Sequence, residues 1–309
     1  MKTLKAVIDI GTNTFNLLIG EIKDKELIIY YNTETPVKLG KKGINEGIIR
    51  EDALKRGLDT LTQYKAITEQ FGVNSIITLA TATIRNAKNA NIFIEKAQQI
   101  LNTTIKTISG LEEAELIYKG AINSYKIPDE TLLVMDIGGG SVEIIIGKKQ
   151  EIFFCKSYEA GALKLLELFN PNNPFTGKDF EKINTHLQSI FFDLIELKSD
   201  FEIDTMIGTA GSFDSLTDVL ENHFNQKLVS LSKNAVLVQK EQFDEFYNLI
   251  TKSSINERIN IRGLVDFRVE TIPVAALLMH FIVTIFNIEK IIASKYALKE
   301  GVFFVDPKH

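Results

Sequence analysis

The chain has 309 residues, 45% hydrophobic and 24% charged, a composition that excludes a low-complexity or disordered protein and is long enough for two domains with separate cores. Its formal net charge of -5 argues against broad electrostatic capture of nucleic acid, which needs a basic face. Cys155 is the single cysteine, so neither an internal disulfide nor a thiolate metal cluster can form.

The first residues enter a strand without the apolar run and small-residue cleavage site of a signal peptide, so a cytoplasmic protein is expected. Apolar strands are expected at residues 6–10, 17–22 and 27–31. Residues 51–71 carry Leu54, Leu58, Leu61 and Tyr64 at helical spacing, and Gly72 is placed to end that helix. A strand at 75–80, a helix at 89–101 and a strand at 105–109 complete a sheet with helices on its faces. The next helix, 111–125, opens after Ser109 and Gly110 with acidic residues in its first turn, where the helix dipole favours them. After a break at Pro128 and Asp129, strands follow at 132–135, 142–146 and 151–155. Helices at 161–169 and 178–198 flank the turn-rich segment 170–177. A strand at 204–207, a glycine turn at 208–212 and a further helix come next. The chain closes with a helix at 270–286, a strand at 290–294 and a last helix from Ala297. The apolar stretch 272–286 contains Pro273, His280 and Thr284 and falls short of the roughly 20 apolar residues that span a bilayer. It reads as a buried helix, with no membrane partner. His186, His223, His280 and His309 lack i, i+4 ligand spacing and read as surface or satisfied core residues.

One unit occurs twice. Val7 to Gly20 aligns without a gap on Val134 to Gly147, so that Asp9 falls on Asp136, Gly11 on Gly138 and Gly20 on Gly147, while Thr12, Asn13 and Thr14 fall on Gly139, Gly140 and Ser141. Each copy is a strand, a tight turn opened by Asp-Ile-Gly, and a second strand. Gly11, Gly138, Gly139 and Gly140 permit backbone conformations closed to other residues and let N–H groups approach an anion. A plain tight hairpin is the alternative for either turn alone. Two aligned turns, each preceded by Asp at a strand end, favour a pair of phosphate-holding turns facing each other.

The segments Asp9-x-Gly-Thr-Asn-Thr, Ala80-Thr-Ala-Thr-Ile-Arg85 with Asn89, Ile108-Ser-Gly-Leu-Glu-Glu-Ala-Glu-Leu-Ile-Tyr118, Asp136-Ile-Gly-Gly-Gly-Ser-Val-Glu143 and Gly208-Thr-Ala-Gly-Ser212 carry a family resemblance. They stand in the order seen in exopolyphosphatases and guanosine pentaphosphate phosphohydrolases. From about Ala6 to Phe304, including Arg268-Val-Glu and Leu298-Lys-Glu-Gly301, the chain resembles a short Ppx/GppA family member without the C-terminal helical domain of longer relatives. The resemblance implies an α/β fold of two duplicated actin-like domains, of the sugar kinase, actin and chaperone ATPase type with ribonuclease H-like topology, and an active site in the interdomain cleft. The domains are expected at 1–120 and 121–295, with a terminal helix at about 296–309 packing back on the first. The family's Gly-Ser-Asn-Ser is Gly-Thr-Asn-Thr here, which keeps both hydroxyls. Its Arg-Glu-Gly is Lys299-Glu-Gly301, which loses a planar two-pronged donor.

By the family motif Glu113 matches the catalytic glutamate, a base for water attacking a terminal phosphorus; read by itself, Glu113 joins Glu112 and Glu115 as a solvated helix-start charge. Asp136 and Glu143 resemble the family's acidic pair, suited to Mg²⁺ with substrate phosphates completing its shell, and Asp9 could contribute across the cleft. Turn capping is the alternative for each Asp. Asn16 stands where the second copy has Glu143, so an asymmetric site is expected. Arg85 is expected to hold a phosphate in two-pronged fashion, a surface salt bridge being the alternative. Gly208, Gly211 and Ser212 supply a third phosphate turn, and Lys38, Lys41 and Lys42 are either a basic track or solvated charges. The expectation is a metal-assisted exopolyphosphatase releasing orthophosphate from inorganic polyphosphate. Guanosine pentaphosphate 5′-phosphohydrolysis is the alternative within the class; an ATP-binding actin-like switch and a non-catalytic polyphosphate or alarmone sensor are alternatives from other classes. Another divalent cation, a monovalent cation and a homodimer stay open.

Overall fold

The computed structural model describes residues 3–305. The duplicated unit folds twice into the same meander. β1 (Lys5–Ile10), β2 (Thr14–Lys23) and β3 (Glu26–Pro36) run antiparallel, α1 (Glu51–Phe71) crosses over, and β4 (Ser75–Ala80) returns parallel to β1. α2 (Ala82–Asn86) and α3 (Ala90–Leu101) lead to β5 (Ile105–Thr107), parallel to β4. After α4 (Gly110–Ile122), the second meander is β6 (Leu132–Ile137), β7 (Val142–Lys148) and β8 (Glu151–Tyr158). It is followed by α5 (Ala162–Phe169), α6 (Gly177–Ile190) and α7 (Phe192–Leu197), then β9 (Thr205–Thr209), parallel to β6, and α8 (Gly211–Asn222). The chain continues through β10 (Val229–Ser232), β11 (Ala235–Gln239), α9 (Lys240–Lys252), α10 (Ile255–Arg258) and α11 (Ile272–Phe286) to β12 (Lys290–Ser294) and α12 (Leu298–Gly301).

The sheets are ordered β3-β2-β1-β4-β5 and β10-β11-β12-β9-β6-β7-β8. Read from β8, the second repeats the order of the first and adds the hairpin β10–β11 at its far edge. Even the register slips coincide, at Ile19/Gly20 and Ile146/Gly147. This is an α/β fold of two duplicated units, each built on a mixed sheet.

Helices cover both faces of each sheet, so the central strands β1 and β6 are near-continuous apolar runs. α1 buries Ala53, Gly57, Leu61 and Tyr64 along one stripe and ends at Gly72, whose N–H bonds Glu69 and Thr68 carbonyls. A third core lies between the sheets, where Ile117 and Tyr118 of α4 meet Leu298, Val302 and Phe303. A boundary at residue 120 therefore cuts a helix that both sheets share.

Three of the expected elements are altered in ways that bear on the site or the core. The helix expected over 178–198 breaks at Phe191, a fully buried ring packed 4.4 Å from Tyr158 and 5.7 Å from Phe281, so core packing outweighs the helical pattern. The strand expected at 204–207 runs on to Thr209, which takes Gly208 out of the turn. The terminal helix has four residues, followed by a 3-10 turn over Val302–Phe304; its expected continuation over 306–309, with His309, lies outside the described residues. The segment 272–286 is the buried helix α11, and no helix among the described residues is long and apolar enough to cross a membrane.

Candidate active site

The tips of the two turns meet at one side of a cleft of about 390 Å³. Each is closed by its own backbone, Gly11 N–H to Thr14 carbonyl at 3.1 Å and Gly138 N–H to Ser141 carbonyl at 3.0 Å. The turn tips, Thr12–Asn13 and Gly139–Gly140, line the cleft. None of these glycines has positive φ. Close approach explains them instead: a Cβ on Gly140 would stand 2.9 Å from Thr12 Oγ1 and Ala82 Cβ, and one on Gly139 would stand 3.0 Å from the Asn13 amide. Thr83 and Thr12 hydroxyls bond at 2.8 Å behind the first turn.

α4 aims its first turn at the same space and separates its glutamates. Glu112 closes the helix cap with Ser109 and pairs with Lys106; these contacts, the Ser109 backbone N–H first, pull its carboxyl down to about 2. Glu115 is exposed. Glu113 is buried, lines the cleft, and accepts a hydrogen bond from Arg85 Nη1 at 2.8 Å. Burial outweighs the Arg85 charge and pushes its carboxyl up to about 7. Arg85 also bonds the Ile108 carbonyl at 3.0 Å and does not line the cleft. The expected phosphate clamp is thus turned onto Glu113.

Further carboxylates form the cleft floor. The pairing Asp9↔Asn16 in the first unit repeats as Asp136↔Glu143 in the second, which places the expected asymmetry side by side. Asp9 accepts from Asn16 at 3.1 Å through Oδ2, while its Oδ1 is buried without a hydrogen-bond partner. Asp136 accepts from the Thr209 hydroxyl at 2.5 Å. Burial raises both to about 6. Glu143 is fully buried, accepts from Ser157 Oγ at 2.6 Å and is raised by burial and by Glu113 and Asp136 nearby; it does not line the cleft. Lys299 lies among these acids, 3.2 Å from Glu300; burial pulls its ammonium down, but the negative charges of Glu300, Asp9 and Asp214 hold it above the usual lysine range. Magnesium takes one or two protein carboxylates and fills its shell with water and phosphate oxygens. The free Asp9 oxygen and Asp136 fit that demand. Among the described residues no group of three His, Cys, Asp or Glu could hold a metal without such help.

Residues 18–308 match the Ppx/GppA phosphatase family. The chain belongs to that family. It is 28% identical over 305 residues to a guanosine-5′-triphosphate,3′-diphosphate pyrophosphatase of Aliivibrio fischeri, covering 98% of this chain and 59% of that one. A protein of the same name from Vibrio parahaemolyticus is 27% identical over 301 residues, covering 97% and 59%. The chain spans about 59% of the length of these curated relatives. Among solved structures, an exopolyphosphatase from Cytophaga hutchinsonii superposes with a TM-score of 0.93 at 32% identity, over 97% of this chain and 96% of that one. A PPX-GPPA enzyme of Aquifex aeolicus superposes with a TM-score of 0.78 at 26% identity, over 97% and 98%.

The remaining expected residues of this Ppx/GppA cleft divide. Thr14, Ser141, Gly211 and Ser212 line it, the last two opening α8, whose N-cap Ala210 supplies no side-chain acceptor. Gly208 does not: it sits in β9, where a Cβ would overlap the Phe213 ring, so its smallness serves helix packing. Lys41 pairs with Glu270 at 3.1 Å, the Lys42 N–H bonds Glu167 at 2.6 Å, and neither they nor Lys38 line the cleft. His186 packs on Phe169 and His280 stacks on Tyr247, as satisfied residues do. Glu34, Asp214 and Lys299 line the cleft without having been assigned roles from the sequence, as does Arg268. The last two sit in family-like segments, a usable signal; Glu34 is one polar residue of an alternating strand, which gives none.

Proposed function

We propose that this chain is a metal-assisted phosphoanhydride hydrolase and that its substrate is inorganic polyphosphate, from whose end it releases orthophosphate. One observation carries the reading: Glu113, alone among the three glutamates of its motif, is buried in the cleft beside the facing turns with its carboxyl raised to about 7. A general base works best with a pKa near the operating pH.

The turn tips bind terminal phosphate oxygens, and the first N–H groups of α8 bind phosphates further along the chain, through backbone donors. Glu113 accepts a proton from water; the water oxygen bonds to the terminal phosphorus as the bridging P–O bond breaks, and the electron pair leaves with the shortened chain. Arg85 holds the Glu113 carboxylate in position. Mg²⁺, held by Asp9 and Asp136, supplies charge neutralisation on phosphate oxygens when bound. Catalysis is then mainly positioning and electrostatics. The name and 32% identity of the Cytophaga exopolyphosphatase support the polyphosphate choice.

The names of the Aliivibrio and Vibrio relatives support a second reading, removal of the 5′-terminal phosphate of guanosine pentaphosphate. Phe267 at the cleft offers a ring that a base could stack on. Phosphate release from long polyphosphate, tripolyphosphate, guanosine pentaphosphate and ATP, measured in parallel with Mg²⁺, separates the two. A much higher kcat/KM for guanosine pentaphosphate gives the second reading precedence, and turnover of ATP alone rejects both.

A further inference from the structure

The twin sheets lay two matching rows across the cleft. In the first unit Asp9, Asn16 and Glu34 stand opposite one another on β1, β2 and β3; in the second, Asp136, Glu143 and Ser157 do so on β6, β7 and β8. Strands are spaced by about 4.8 Å, so Glu34 lies on a strand roughly 10 Å from that of Asp9. The two row ends meet different neighbours. Ser157 is met by Gly110 at the start of α4, one turn from Glu113. Glu34 is met by Arg268, whose Nη2 donates to both carboxylate oxygens, at 2.8 and 2.6 Å.

Arg268 is held in place for that contact. A Cβ on Gly211 would overlap its guanidinium, so only glycine at the first residue of α8 lets the cation rest there. Ser215 approaches Nη1 at 3.5 Å and the Phe267 ring lies 5.0 Å from the guanidinium carbon. The Arg268 side chain is 13% exposed and Glu34 34%. Both residues line the cleft. A carboxylate is therefore seated on a nearly buried guanidinium beside an uncapped helix start, a place whose donors suit a phosphate equally well.

We propose that Glu34 is a specificity-determining residue that acts as a built-in competitor for phosphate at the end of the cleft remote from Glu113. The inference rests on the polyphosphate reading. A short substrate that fills only the turns leaves the Glu34–Arg268 pair intact. A long chain reaches Arg268 only by displacing Glu34, which also unlinks β3 of the first unit from the second. Glu34 thereby sets the affinity for chain length and leaves the reacting end unaffected.

The test compares Glu34→Gln with the unsubstituted protein on long-chain polyphosphate and tripolyphosphate. Removing the competing charge lowers KM for the long chain about fivefold or more, the lower end of a typical coupling between sites, with kcat and the tripolyphosphate KM unchanged. Glu34→Asp, which keeps the charge on a shorter stem, gives an intermediate KM. In an Arg268→Met background Glu34→Gln brings no gain, because the contested cation is gone. A long-chain KM that stays the same or rises in Glu34→Gln, while the unsubstituted protein turns over polyphosphate, overturns the competitor role and leaves a structural clasp. Absence of polyphosphate turnover in the unsubstituted protein overturns both this role and the substrate reading.

Discussion

Replacing Arg85 by Met separates the role seen in the structure from the phosphate clamp expected of its sequence position. Its Nη1 stands 2.8 Å from Glu113 Oε2, with side-chain exposures of 22% and 9%. Opposite charges about 4 Å apart at an effective dielectric of about 20 attract by about 4 kcal/mol, equivalent to roughly 3 pKa units. Water entering the space left by the guanidinium offsets about half of that, so removal should raise the Glu113 carboxyl by about 1–2 units. Because its carboxyl already stands at about 7 through burial, the ionised fraction at neutral pH should fall by roughly five- to fiftyfold. The assay is kcat/KM across pH at saturating Mg²⁺. Activity of the unsubstituted protein should rise as pH passes through about 7, as Glu113 ionises. In Arg85→Met this acid limb moves to higher pH, and most of the lost rate returns in alkali. A uniform loss at every pH with a raised KM would refute the reasoning, because it would mean that Arg85 binds substrate.

Glu113→Gln keeps size and removes the base; turnover should fall by about 10²–10⁴ at every pH, with substrate binding retained in equilibrium binding measurements. Glu112→Gln should leave kcat near the parent value and, by weakening the Ser109 cap, cost about 1 kcal/mol in denaturant unfolding. Asp9→Asn and Asp136→Asn should each raise the Mg²⁺ concentration for half-maximal activity by about tenfold or more; unchanged metal titrations in both would assign these carboxylates structural roles. Asp9, Asp136 and Asp214 are raised to about 6 and Glu113 to about 7, chiefly by burial. The folded state binds these protons more tightly than the unfolded chain, so their stabilisation is full below the ordinary carboxylate range and is lost as pH rises through 6 to 7. Calorimetry without divalent metal should therefore find Tm higher at about pH 5 than at pH 8, and Mg²⁺ with phosphate should narrow that gap; equal Tm values would contradict the buried acidic floor.

Local chemistry made much of the fold legible. The strand–turn–strand repeat, the period of α1, its stop at Gly72 and the acidic start of α4 are recorded in neighbouring residues, because turns, caps and periodicities act over a few positions. The hairpin β10–β11, around Lys233 and Asn234, and α9, with Phe243, Phe246 and Ile250 on one stripe, carried the same kind of signal and went unread. Tertiary structure alone decided which glutamate of Glu112, Glu113 and Glu115 enters the cleft, since all three are helix-start carboxylates and only the packing of α4 between the sheets buries one. It also turned Arg85 from phosphate to Glu113 across 28 positions, drew Gly208 into a strand against Phe213, and joined Glu34 to Arg268 across 234. Such pairings depend on how two separately patterned units dock, and the energy that selects them, burial of charge against a distant partner, has no local counterpart in the chain.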